Sequence, residues 1–157
     1  MLRLLPKYVL LASLLLPAAA LPAQAPQIYS DTADAHEQIR TALSMAAKEH
    51  KRVLLDFGGN WCGDCKVLDI YFHDPANARI LDKNFVLVHV NIGRYDRNQD
   101  VAAKYDTPLT KGVPALAILD ARGKVVYSQR NGEFEAMRRM DPSSVTEFLE
   151  KWKPRGR

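Results

Sequence analysis

The chain has 157 residues, 47% hydrophobic and 25% charged, a balance that supports one packed core and excludes a disordered or fibrous chain. Its net charge of +4 overstates its basicity, because taking away Arg3 and Lys7 of the N-terminal segment leaves +2, and nothing in the charge pattern asks for nucleic acid. Its two cysteines, Cys62 and Cys65, are too few for a thiolate zinc centre, and His36, His50, His73 and His89 lack the paired spacing that would complete one.

Arg3 and Lys7 precede an apolar run at 9–16, and small residues follow, which is the layout of a secretory signal peptide over 1–25. Cleavage is expected after Ala20 or Ala25. A spanning helix needs about 20 apolar residues, and Pro17 and Pro22 interrupt this stretch, so an uncleaved membrane anchor is the lesser reading. Residues 26–157 are then a single domain in an oxidising compartment, the periplasm, where a cysteine pair is either a structural disulfide or a redox centre.

Ala35, Ile39, Ala42, Leu43 and Ala46 recur at helical spacing over 34–48, with Asp31 or Thr32 as the cap. A strand at 53–57 is broken by Gly58-Gly59-Asn60, and Val67, Leu68 and Tyr71 mark a helix running on from Cys62. Asp74-Pro75 caps a short helix over 75–81 that turns Ala78 and Ile80 inward, and a strand at 85–91 follows. A short helix at 99–105 and a loop at 107–112 lead to an apolar strand at 115–119, paired through a turn with a strand at 124–129. Residues 130–140 have no clear period, and Asp141-Pro142 starts a last helix with Val145, Phe148, Leu149 and Trp152 on one face. The order predicts an α/β fold: a central mixed sheet with helices on both faces.

Two residues between cysteines at a helix start place the first sulfur near free backbone N–H groups and the positive helix end, which favours a thiolate at Cys62. Cys65, one turn further in, can resolve a mixed disulfide, and the exchange needs no cofactor. A structural staple is the plainer reading, but so short a loop constrains the unfolded chain least. No serine lies in a nucleophile-elbow pattern, so a hydrolase is unsupported.

Leu54-Leu55-Asp56-Phe57, Trp61-Cys62-Gly63-Asp64-Cys65-Lys66 and Gly112-Val113-Pro114 fall in the order and spacing of thioredoxins, and over residues 53–152 the chain resembles the thioredoxin superfamily. The stretch from Tyr71-Phe72-His73-Asp74-Pro75 to Val90-Asn91 is similar to the C-terminal domain of the thiol:disulfide interchange protein DsbD. The resemblance implies the thioredoxin fold and a protein-disulfide reductase with Cys62 as nucleophile and Cys65 as resolving thiol. It implies that Asp56 is an inward-facing acid beneath the cysteines, that Pro114 is a cis-proline facing them, and that Val113 offers its backbone to a substrate strand. Trp61, Gly63 and Asp64, with Gly132, then complete the substrate groove. The implied partners are proteins with disulfides or thiols and an inner-membrane electron donor of the DsbD type; a monomer is expected. Three departures stand out: Gly58 replaces a second tryptophan, Asp64 a proline, and His89 a lysine near the acid.

Burial of Asp56 without a cationic partner would favour its neutral form, suit it as a base for Cys65, through a water, near neutral pH, and make Asp56→Asn stabilising, with His89 on the neighbouring strand either tuning it or packing at the surface. Asp64 would oppose ionisation of Cys62 by roughly 0.6 to 1.2 kcal/mol at about 7 Å, against about 0.3 to 2 kcal/mol from the helix terminus. These nearly cancel, so the expected potential is more negative than about −200 mV. An oxidant or isomerase and a binding module without turnover remain as alternatives. Phe134, Met137 and Met140 either pack residues 133–140 onto the core, the favoured reading, or cover the groove as a lid.

Overall fold

A computed structural model describes residues 27–155. The signal-peptide expectation for 1–25, with its cleavage sites after Ala20 and Ala25, lies outside the described residues.

The centre of the molecule is β1 (Arg52–Gly58), whose residues beyond Arg52 are all buried. It pairs in parallel with β2 (Phe85–Asn91) and antiparallel with β3 (Ala115–Leu119), and β3 pairs antiparallel with β4 (Val125–Ser128) at the edge. The sheet order is β2-β1-β3-β4, the mixed sheet expected from the sequence. Two parallel neighbours cannot be joined by a hairpin. The chain crosses from β1 to β2 through α1's successors, α2 (Gly63–Phe72) and α3 (Pro75–Asn84), α1 itself being Ala35–Glu49.

Alternation along β1 divides the apolar side chains between two cores. Val53, Leu55 and Phe57 pack with α1 and with Val101 and Ala102 of α4 (Gln99–Lys104), whereas Leu54 packs with α2, α3 and α5 (Ser143–Trp152). Helices therefore cover both faces.

Three local expectations are corrected. Asp34, not Asp31 or Thr32, caps α1: its carboxylate accepts the N–H groups of His36 and Glu37, while Asp31 accepts the Asn91 amide at 2.9 Å. α3 runs on to Asn84 and buries Asn77 and Leu81, leaving Ala78 and Ile80 half-buried. A polar residue can face inward there because Asn77 donates to the Tyr71 carbonyl and accepts from Thr146 Oγ1. The segment read as a loop at 107–112 contains a short 3-10 turn, Leu109–Lys111, and a second, Met137–Arg139, lies in residues 130–140, where the sequence has no clear period.

Candidate active site

Beyond Gly58 the chain turns sharply and α2 begins, with Cys62 in the extended N-cap position. The first N–H groups of a helix lack partners within it, and here the Cys65 N–H donates to Cys62 Sγ at 3.0 Å. Cys62 and Cys65 form a disulfide; Cys62 is 5% exposed and Cys65 fully buried. Cys62 Sγ lies 3.5 Å from the Val113 carbonyl oxygen, and the Val113–Pro114 peptide is cis, so this loop does face the cysteines.

The buried Gln129 holds that loop: its amide donates to the Pro114 carbonyl at 3.0 Å and accepts the Leu116 N–H at 3.2 Å. Gly132 has φ +76°, and a Cβ there would stand 2.5 Å from the Lys111 carbonyl oxygen. Only glycine lets the chain lie this close to the segment leading into Val113. On the other side of the cysteines Trp61 is exposed, donates its indole N–H to the Gly93 carbonyl, and stands beside Tyr95 with ring centroids 5.6 Å apart. Trp61, the residue before Cys62, thus pairs with Tyr95 as two exposed aromatic rings.

Asp64 and Gly63 sit against Arg138, which the sequence did not single out. Asp64 accepts the Arg138 backbone N–H at 2.9 Å, and its other oxygen accepts the guanidinium Nε at 3.1 Å and forms an ion pair with Nη2 at 2.9 Å. Partial burial works against the Asp64 carboxylate, but the Arg138 bonds and charge outweigh it and hold its pKa below the usual value. The expectation that Asp64 sets a free negative charge against Cys62 is therefore corrected. Phe134 and Met137 are buried in the core with Phe148, so residues 133–140 pack inward rather than lie over the groove as a lid.

Asp56 is fully buried beneath this layer. One oxygen, Oδ2, accepts the Tyr29 hydroxyl at 2.8 Å and lies 2.8 Å from His89 Nδ1, while Oδ1 has no hydrogen-bond partner. The expectation of a carboxyl without a cationic partner is thus corrected, because register places His89 of β2 directly beside Asp56. The argument that Asp56→Asn should stabilise the fold goes with it, since the change would strip His89 of its counter-charge. Burial works against the imidazolium, yet the hydrogen bond and charge of Asp56, with Asp69 beyond, raise the His89 pKa above its ordinary value.

Tyr29 was missed as well. Its ring fills the space that Gly58 leaves open: a Cβ at Gly58 would stand 2.5 Å from Tyr29 Cζ and 2.9 Å from Cys65 Sγ. The signal was the glycine in place of a bulky residue, which requires something else to occupy the volume.

The thioredoxin-like family model matches residues 34–121. The chain is 36% identical over 95 residues to the thiol:disulfide interchange protein DsbD of Vibrio vulnificus, a match covering 60% of this chain but 16% of that protein's length. It is 32% identical to mouse thioredoxin over 67% of this chain and 87% of that one. A solved structure described as a disulphide isomerase from Xylella fastidiosa Temecula1 superposes with a TM-score of 0.75 at 34% identity, covering 85% of this chain and 98% of that one. With its cysteine pair at a helix start and a cis-proline loop against it, the chain belongs to the thioredoxin-like family.

Proposed function

We propose that the protein works in the periplasm as a reductase of protein disulfides, recharged by an inner-membrane electron donor of the DsbD type. The observation that carries this reading is the asymmetry of the pair: Cys62 Sγ takes a backbone N–H at the helix start, while Cys65 is wholly enclosed. The Cys62 thiolate attacks a substrate disulfide, forms a mixed disulfide and releases one substrate thiolate. Asp56 accepts the proton of the Cys65 thiol, and the Cys65 thiolate attacks Cys62 Sγ. The second substrate thiolate leaves, and two electrons have passed from the protein's dithiol to the substrate. Trp61, Gly63 and Asp64 border the entry for the substrate chain, with Val113, Pro114 and Gly132 opposite.

An isomerase is the second reading, favoured by the similarity to the Xylella fastidiosa protein and by Arg138, which relieves the charge that Asp64 would set against the Cys62 thiolate. Insulin reduction with dithiothreitol, compared with the Cys62→Ser, Cys65→Ser double variant, tests turnover; a wild type no faster than the variant overturns the enzyme reading. Equilibration with glutathione tests direction. A potential below about −200 mV supports the reductase, and one near about −120 mV reverses it. Cys65→Ser, which cannot resolve the mixed disulfide, should trap the substrate proteins and the donor for identification.

A further inference from the structure

We infer that Tyr29 carries the proton from Cys65 to Asp56, so that the resolving step runs through a phenol supplied by the segment ahead of α1. The inference rests on the proposed role of Asp56 as proton acceptor. The Tyr29 hydroxyl donates to Asp56 Oδ2 at 2.8 Å, which fixes one end of the route. The other end follows from Gly58, whose missing Cβ is bordered at once by the head of the phenol ring and by Cys65 Sγ at 2.9 Å. The phenol head, hydrogen-bonded to Asp56, and the resolving sulfur therefore border the same space beside Gly58, and Tyr29, Asp56 and Cys65 are all fully buried.

The segment is held there. Asn60, between the glycines and the cysteines, accepts the Tyr29 N–H at 3.1 Å and donates its amide to the Tyr29 carbonyl at 2.7 Å. The charged and titratable groups around the hydroxyl are Asp56 on β1, His89 on β2, and Asp69 and Cys65 on α2. Burial, with the charge and hydrogen bond of Asp56 and the charge of Asp69, raises the phenol's pKa. Tyr29 thus stays neutral and can act only by passing one proton on as it takes another. In the resolving step the hydroxyl proton moves to Asp56 as the Cys65 thiol proton moves to the Tyr29 oxygen. The Cys65 thiolate then forms its bond to Cys62 Sγ, the bond from Cys62 to the substrate sulfur breaks, and the substrate leaves as thiolate.

An aromatic disulfide that releases one coloured thiolate at the attack of Cys62 and a second at resolution separates the two steps in a stopped-flow trace. Tyr29→Phe removes only the hydroxyl and should slow the second phase by about tenfold or more, with Asp56→Asn doing the same. The double variant should be no slower than either, and the pH dependence of the second phase should flatten in all three. A second phase unchanged in Tyr29→Phe but slowed in Asp56→Asn overturns the relay and leaves the role of Asp56 standing; no slowing in either variant removes that role and the relay together. Equal slowing of both phases would make Tyr29 a structural residue and also overturns the relay. The wild-type protein gives an answer that depends on no variant folding: across mixtures of light and heavy water the second-phase rate should follow a bowed curve, from two protons in flight. A straight line overturns the inference.

Discussion

At position 58 even one added carbon would meet the Tyr29 ring and the Cys65 sulfur, and the backbone of a sheet interior has little room to yield. Gly58→Ala is expected to cost about 1 to 3 kcal/mol in urea unfolding, the usual range for overpacking, and to push the phenol away from Asp56. His89 gives a second prediction at this scale. Its folded pKa is raised, so the protonated imidazole stabilises the fold fully below its unfolded pKa of about 6.5, and that contribution is lost as pH climbs through the raised folded value. Urea stability of the oxidised protein should therefore decline with pH from about 6.5 upward, and His89→Asn should remove that slope. A decline of equal size in the variant would assign the effect to another group. Sequence reasoning reached Asp56 and both cysteines because each lies in a contiguous motif. It did not reach Tyr29, which meets Asp56 across 27 positions of chain that share no local pattern.

At the scale of elements, the helix that carries the cysteines is braced by a segment with almost no regular structure. Met137 is buried to 0% exposure and anchors that segment, while its neighbour Arg138 grips Asp64. Arg138→Ala should leave the Asp64 charge uncompensated near Cys62, disfavour the thiolate, and make the potential more negative by on the order of 10 to 30 mV. Equilibration with glutathione measures the shift; an unchanged value would mean that Asp64 is screened by solvent alone. Met137→Ala should cost about 2 to 5 kcal/mol by leaving a cavity, and should reproduce the shift in potential by loosening the grip. Strands and amphipathic helices were legible because apolar residues repeat at their periods, as at Val145, Phe148 and Leu149. Residues 130–140 were not, since their order comes from the buried Phe134 and Met137 and from ion pairs of Arg130 with Asp106 and of Arg138 with Asp64, all with partners in distant parts of the chain.

At the scale of the molecule, the sheet is a frame with two ends. The cysteine loop, the cis-proline loop and Asn60 gather beyond the end of β1 at Gly58, whereas Arg52 opens the strand at the other end and donates to the Trp152 carbonyl at 2.7 Å. The fold was readable from alternation of strands and helices, but the way residues 27–34 are tied across the cysteine end was not, because it depends on single hydrogen bonds from Asn60 and Asn91. A chain beginning at Asp31 should lose the buried phenol and unfold at lower urea, by about 3 to 5 kcal/mol if the loss resembles truncation of other large aromatics. An unchanged midpoint would show that the space beside Gly58 closes without it.

The tie between Tyr29 and Asn60 also decides how the molecule can be handled. Anything fused directly ahead of residue 27 starts near Asn60, two positions before Cys62 in the chain, while the chain leaving α5 emerges beside Arg52 at the far end. Bait for capturing mixed-disulfide partners, a fluorophore or a surface tether therefore belongs at the C-terminus. The same cargo attached at the other end would act as a competitor for the redox site.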